Sequence, residues 1–503
     1  MYMNKSFLKI RGFKVINHRY SLIAVAVASA LLAYQPASAQ SLKEAVEQTI
    51  KTNPDVLIEA DRRLQTDQTL RQANAGYLPK VDLGLGIGTE HSDNTTTRNR
   101  KAPNIGQHDW RSMGRTESSL TLTQMLYDGS ATYSEVQRQT ARQESAAYKV
   151  AGTSEQIGLR AVEAYLEVLR RQAELGLIQE NLAATERIYG QIKIRATSGV
   201  GRKADQEQAE ARLALSQANV ESAQANLRES LITYKRIVGI APADLAKPGE
   251  PEGVPADADG AVQTALANHP IIKSAQADID ATKAQTKAAE SKMKPRFDLQ
   301  LGTDWNNNQD GVQYHDNDAY AMVRMQYNLY HGGADQARIS ETKLQTLEAQ
   351  EVLSRTKRQV EESTSLSWNA LQTAIDRLPK LKSYADSTEQ TRDAYAKQFS
   401  IGQRTLLDLL DSENELYTAR NDYVDAQYVE LFAHYRLLAD IGRLIETLGV
   451  TPREEATPGE KNQMAGYDTA AVSPSAAKQE EMPAVEPEPD AVIEPVPEGQ
   501  PAQ

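Results

Sequence analysis

Val81-Asp-Leu-Gly-Leu-Gly-Ile-Gly88 is the stretch on which the fold turns. Val81, Leu83, Leu85 and Ile87 alternate with Asp82, Gly84, Gly86 and Gly88, so an extended chain puts apolar side chains on one face and small or polar ones on the other. Glycines at this density weaken a strand unless their face lines a wide space. A dinucleotide loop would need a helix directly after the glycines, and none follows. A second segment has the same alternation: Phe297, Leu299, Leu301 and Trp305 against Asp298, Gln300 and Asp304. Each segment leads into a polar loop, residues 91–115 and 306–318, and then into another alternating run, Leu120-Thr-Leu-Thr-Gln124 and Ala321-Met-Val-Arg-Met-Gln-Tyr327. The pattern predicts four strands of about ten residues, the length that crosses a bilayer when tilted. Two soluble hairpins on a core are the alternative, and they leave the plain glycine face without a purpose.

Four strands cannot close on themselves, and open edges in lipid leave backbone groups unsatisfied at several kcal/mol each. The chain is therefore expected to oligomerise. Two copies would give a barrel filled by its own side chains, whereas three would leave room for a passage. The arithmetic favours three or more.

Working outward, the strands sit inside a tandem repeat. Asn53-Pro54 and Pro79 match His269-Pro270 and Pro295 at an offset of 216; Tyr127, Gly129, Tyr165, Gly199, Asp205 and Leu213 match Tyr330, Gly332, Trp368, Gly402, Asp408 and Leu416 at an offset of 203. The predicted copies cover residues 40–241 and 256–450, joined by a Pro-, Gly- and acid-rich linker at 242–255. In each copy a Tyr-x-Gly turn (Tyr127, Gly129; Tyr330, Gly332) closes the strands and opens a helix of some 66 residues, which at ~1.5 Å per residue approaches 100 Å. Gly199 and Gly402 mark the turn into a shorter helix. There Ala209, Ser216, Ala223 and Ser230, like Ser412, Ala419, Ala426 and Ala433, place small residues every seven positions, a spacing that lets helices approach closely. Leu213, Val220, Leu227 and Tyr234 are the large partners; Leu416, Tyr423 and Leu437 repeat them, with Glu430 interrupting the series.

The ends have different characters. Residues 1–39 combine Lys5, Lys9, Arg11, Lys14 and Arg19 with the apolar run Ser21 to Tyr34 and the small-residue site Pro36-Ala-Ser-Ala39. This is the layout of a secretory signal peptide cut before Gln40; an uncleaved anchor is the alternative. Removing its five cations takes the formal net charge from -12 to -17, a balance that argues against nucleic acid. There is no cysteine, which removes disulfides and thiol chemistry together. No later stretch is long and apolar enough for a membrane-spanning helix. Residues 451–503 hold nine of the twenty prolines and a single aromatic, Tyr467, so they read as a solvated, disordered acidic tail rather than a docking segment.

The double repeat, the Tyr-x-Gly strand ends and Phe399-Ser-Ile-Gly402-Gln-Arg404-Thr-Leu-Leu-Asp408-Leu-Leu-Asp411 resemble the TolC family over residues 41–449. The segment from Arg195 through Gly199, Gly201 and Asp205 to Leu213 is similar to its type I secretion branch, which includes adhesin exporters. The resemblance implies an α+β membrane protein. Three chains would form a 12-stranded outer-membrane β-barrel in the lipid, continued by a periplasmic α-helical barrel. It implies a periplasmic adaptor (a membrane fusion protein) and an inner-membrane ABC transporter or other pump as partners, with protein or small-molecule cargo. It also implies a periplasmic gate in which Asp408 and Asp411 constrict, Arg404 is the gate arginine and Asp205 helps hold the closed state. Phe399 stands where the family has tyrosine, and Ala204 where it has threonine, so Arg404 lacks that partner. Aspartates three apart share one helix face. Rings of them about 6 Å apart repel by roughly 1 kcal/mol in water and ~3 at an effective dielectric of 20, so they should hold cations.

No enzyme reading gains support: the seven histidines form no metal-ligand pair, and no cofactor is indicated. His331, beside Gly332, reads as structural. The function expected is an outer-membrane export duct for type I protein secretion. The alternatives are small-molecule efflux and, in another class, a periplasmic coiled-coil scaffold or adhesin.

Overall fold

The computed structural model describes residues 40–95, 97, 110–311 and 313–459. The expected signal peptide, the loop cations Arg98, Arg100 and Lys101, and the tail beyond residue 459 lie outside them. In chain order the elements are α1 (Leu42–Thr52), α2 (Pro54–Ala75), β1 (Lys80–Ser92), β2 (Arg111–Tyr127), α3 (Ala131–Thr197), α4 (Lys203–Val238), α5 (Ala258–Asn268), α6 (Pro270–Glu290), β3 (Arg296–Asn307), β4 (His315–Gln326), α7 (Ala334–Ser400), α8 (Leu406–Asp440) and α9 (Leu444–Thr447).

Local chemistry sets these boundaries. Ser41 and Glu44 cap α1 reciprocally, the hydroxyl accepting from the Glu44 N–H at 3.2 Å and the carboxylate from the Ser41 N–H at 3.0 Å. Asn53 and His269 each close one helix and cap the next, with Pro54 and Pro270 at a first-turn position where a missing N–H costs nothing. α3 and α7 both run 67 residues. Gly176 and Gly190 lie inside α3 and Pro379 inside α7, and none ends its helix, because tertiary packing outweighs local propensity.

The strands form one antiparallel sheet in the order β1-β2-β3-β4. Paired residues share a face, so Val81, Leu122, Leu301 and Ala321 make one row and Leu83, Leu120, Thr303 and Ala319 the next. The reverse face carries Asp82, Thr121, Gly302 and Tyr320, then Gly84, Ser119, Asp304 and Asp318. Leu85 is 74% exposed and Ile87 is 90% exposed, so nothing among the described residues covers this end of the apolar face. The Tyr320 ring fills the space over Gly302 that a side chain there would need. The strands run 13, 17, 12 and 12 residues, longer than the expected ten. β2 begins at Arg111, so Arg111 and Arg115 belong to the strand and not to the expected loop; Arg115 bridges Glu90 on β1 at 2.7 Å.

The two strand-to-helix turns differ. Tyr127 ends β2 beyond a bulge, and Gly129 takes the left-handed backbone (φ 68°) hard against Ser291 and Lys294. Gly332 is also left-handed (φ 61°), but β4 stops at Gln326, and Tyr330 lies beyond it, 84% exposed.

The main core gathers Val46 and Ile50 of α1, Val162 and Tyr165 of α3, Tyr234 of α4, Leu437 and Leu438 of α8 and Leu444 of α9. Each such aliphatic side chain contributes roughly 1.5–3 kcal/mol on full burial. All eight small heptad residues are buried, while Leu213, Leu227 and Tyr423 are half-buried. The expected disordered tail needs correction at its start. Residues 451–459 pack on α2 and α3 through a short turn at Glu454–Ala456; Ala456 is buried and Gly459 lies against Arg63 and Gln143. The contacts of Ala456 and Gly459 with α2 and α3 anchor a segment whose composition alone reads as solvated, and the Arg453–Glu455 pair at 3.1 Å closes its turn.

Candidate functional site at the helical hairpin tips

Two helical hairpins end side by side. Gly199 (φ 78°) turns α3 into α4, where the N–H groups of Val200 and Gly201 donate to the Arg195 carbonyl at 3.1 and 2.9 Å. Gly402 (φ 80°) turns α7 into α8, with the Gly402 and Gln403 N–H groups donating to the Phe399 and Gln398 carbonyls at 3.0 and 2.9 Å. Both turns need a residue that accepts positive φ without strain.

One apolar cluster joins the four helices: Ile188 and Ile192 from α3, Ala209 from α4, Phe399 from α7, and Leu406, Leu409 and Leu410 from α8. Phe399 is 6% exposed, so the ring without a hydroxyl is a core residue of the tips. The Arg195 guanidinium stacks over it, 4.9 Å from the centroid, tying α3 to α7.

Arg404 is held within its own hairpin. Its Nε donates to Gln398 Oε1 at 3.0 Å, its guanidinium lies 4.1 Å from the Tyr395 centroid, and its Nη1 is 3.9 Å from Asp408. Gln398 and Tyr395 thus engage Arg404, whose expected threonine partner is Ala204 here.

Asp408 occupies the third position of α8 and completes a cap. The Thr405 N–H and hydroxyl donate to its carboxylate at 3.1 and 2.8 Å, and its own N–H donates to the Thr405 hydroxyl at 3.2 Å. Those bonds, with a smaller contribution from Arg404, hold the Asp408 carboxyl below the usual carboxylate range. Asp411 is engaged by Arg212 of α4 at 3.2 Å, a contact between the two hairpins. Asp205, in the first turn of α4, has no side-chain partner among the described residues of its own chain. The two aspartates expected to act alike are thus differently committed, one to its own helix start and one to the neighbouring hairpin.

Above the tips, Arg420 of α8 reaches both Glu180 of α3 at 3.3 Å and Glu389 of α7 at 2.7 Å, and Arg170 of α3 meets Asp425 of α8 at 3.0 Å. A groove of about 310 Å³ opens here between α3, α7 and α8, with Glu180, Arg187, Arg392, Glu413 and Arg420 in its wall.

The sequence alone assigns no contact to Arg195, Arg212, Tyr395 or Gln398. One signal was available: at the 203 offset Arg195 corresponds to Gln398, the residue that holds Arg404.

A family model described as outer membrane efflux protein matches residues 45–239 and 261–443. The outer membrane efflux protein BepC of Brucella suis is 25% identical over 423 residues, 84% of this chain and 89% of its own. The alkaline protease secretion protein AprF of Pseudomonas aeruginosa is 25% identical over 390 residues, 74% of this chain and 78% of its own. Among solved structures, the Campylobacter jejuni CmeC outer membrane channel superposes with a TM-score of 0.68 at 14% identity, covering 84% of this chain and 90% of that one.

Proposed function

The chain belongs to the outer membrane efflux protein family, and from that premise we propose that three copies form a duct for type I protein secretion. It is a channel protein of the Gram-negative outer membrane. The observation that carries the proposal is the sheet: four bilayer-length strands, apolar on one face and small or polar on the other, with β1 and β4 as open edges. Pairing β4 of one protomer with β1 of the next removes every edge. Three protomers supply twelve strands, and the 67-residue helices α3 and α7 continue the passage into the periplasm. The order helix, helix, strand, strand, helix, helix occurs twice along the chain, which supports the tandem repeat. A scaffold or adhesin has no use for such a sheet.

The hairpin tips are read as the periplasmic gate. Phe399 and its apolar neighbours hold the two hairpins together, Arg195 and Arg212 bridge them, and Asp408 and Asp411 present the negative charge. Asp205, without a side-chain partner among the described residues, would meet a neighbouring protomer. The charged groove beside Arg420 suits the helices of a periplasmic adaptor, which would connect the duct to an inner-membrane ABC transporter or other pump. Similarity to a protease secretion protein and the segment Arg195 to Leu213 favour protein as cargo; similarity to BepC supports small-molecule efflux as the second reading.

The test is conductance of the purified mature protein in a planar bilayer, with a trivalent cation added on the periplasmic side. Small cation-selective openings that the ion blocks, and loss of block in the Asp408→Ala/Asp411→Ala protein, are expected. Unchanged block in that variant removes the gate assignment. Loss of an exported protein from the medium of a deletion strain, with unchanged drug susceptibility, decides between the two cargoes in favour of secretion.

A further inference from the structure

The strands of the second half copy those of the first until the last few residues. Moving β1 by 216 residues and β2 by 203, the offsets of the sequence repeat, turns the pairs Lys80–Thr123 and Ile87–Thr116 into Arg296–Gln326 and Thr303–Ala319, and both are pairs of β3 with β4. The two hairpins are one unit used twice. Yet β2 runs on to Tyr127, because Gln124, Met125 and Tyr127 find Leu299, Asp298 and Phe297 on β3, whereas β4 stops at Gln326. The counterparts of that extension, residues 327–330, have no strand beside them among the described residues, and Tyr327, Leu329 and Tyr330 are exposed. The turns differ in the same way. Gly129 lies hard against Ser291 and Lys294, while nothing lies within 4 Å of a side-chain carbon placed on Gly332.

We propose that residues 327–330 complete β4 only on the β1 edge of a second copy of this chain, in the register that β2 already makes with β3. The proposal rests on the oligomeric-duct reading and adds the residues that meet. Carrying the β2–β3 pairs across by the same offsets sets Tyr327 opposite Leu83 of the next copy, Met325 opposite Leu85, Val323 opposite Ile87 and, past the bulge, Tyr330 opposite Val81. All eight side chains are exposed in the single chain, so each pair extends the apolar face across the seam. On the reverse face Met322 and Arg324 come opposite Gly88 and Gly86 of the next copy. Within the chain the Tyr320 ring already lies over Gly302 in this manner, and over Gly88 there is open space. The glycine column is then a seat for larger side chains from the partner.

Electrostatics choose the same register. Because faces alternate, β1 of the next copy can slip only two residues at a time. Slips of two or four toward flush strand ends set its Glu90 directly opposite Asp318 or Asp316, and like charges so placed are destabilising. In the inherited register Glu90 faces Tyr320. The same step brings Gly332 to Ala75 and Leu78 of the next copy, the counterparts of Ser291 and Lys294.

The chain has no cysteine, so paired cysteines report the register without background. Directly opposite Cα atoms lie about 5 Å apart, within reach of a disulfide, and a two-residue slip takes them to roughly 8 Å, beyond it. Protein carrying Val323→Cys with Ile87→Cys, or Met322→Cys with Gly88→Cys, is extracted from outer membranes as heat-modifiable oligomer, oxidised and run on denaturing gels. The two pairs sit at neighbouring positions, so one of them has the shorter separation. Covalent species of up to three chains are expected from that pair and from Tyr330→Cys with Val81→Cys. Val323→Cys with Leu85→Cys, or with Leu83→Cys, should stay monomeric. Linkage of either slipped pair instead overturns the register while leaving the duct intact. Failure of the Tyr330 pair alone overturns the strand extension and leaves lipid as the cover of these residues. If no pair links, an amine-reactive cross-linker applied to the parent protein separates the two failures: trimers overturn the register alone, and monomers overturn the duct reading with it.

Discussion

Glu155 lies in the middle of α3, and its carboxylate accepts the N–H groups of Leu444 and Ile445, at 2.9 and 3.4 Å, where α9 begins. Burial outweighs those two bonds and pushes its pKa from the ordinary 4.5 up to about 8, with Glu446 adding to the rise. The folded protein therefore keeps this proton between those two values while the unfolded chain loses it. Stability attributable to Glu155 falls as pH rises through that window. At ~1.36 kcal/mol per pH unit, the interval amounts to at most about 5 kcal/mol. Glu155→Gln retains an acceptor for the two N–H groups and cannot ionise. Thermal unfolding of both proteins in detergent, followed by helical circular dichroism from about pH 4 to about pH 9, should show the variant gaining on the parent as pH rises. Every other titrating group cancels in the difference. Parallel curves would refute the reasoning, and would mean that the two N–H groups carry the buried charge without cost.

Three further outcomes test other parts of the molecule. Phe399→Ala removes the ring under Arg195 and leaves a cavity costing ~3–5 kcal/mol, so single-channel conductance should rise. Arg212→Asp should raise open probability by placing like charges between the hairpins, and adding Asp411→Arg should bring it back toward the parent value; a double variant that behaves like the single one sinks the bridge. Leu85→Arg, on the uncovered apolar face, should cost about 2–4 kcal/mol in lipid and lower the yield of heat-modifiable oligomer on gels.

The strands were legible because a period of two is a local signal: Val81 to Gly88 announces both its faces without reference to the rest of the chain. The helix starts at Asn53-Pro54 and His269-Pro270 are also encoded within one turn, yet the two pairs served only as repeat markers, and a single helical stretch was read through the first. Strand ends were less legible. The extension of β2 back to Arg111 depends on pairing with β1, and on the Arg115–Glu90 bridge, which no window of sequence contains. The same limit applies at the tips. Asp408 and Asp411 look equivalent along one helix face, yet a partner on another helix, Arg212, separates them. Residues 451–459 misled for the opposite reason: proline and acid content describes average solvation, whereas contacts of the Glu454–Ala456 turn and Gly459 with α2 and α3 hold this stretch.

The open edges of the sheet have a kinetic consequence. A protomer arriving alone would expose unpaired N–H and C=O groups along β1 and β4, and lipid offers them nothing. Entering the membrane and meeting two partners are then a single event for the proposed trimer, and its rate depends on subunit supply more steeply than in direct proportion. Halving delivery of the protein across the inner membrane would cut the number of finished ducts by more than half. A chain still waiting for partners would offer the periplasm two sticky edges, so the cell has reason to make this protein in bursts or to escort it.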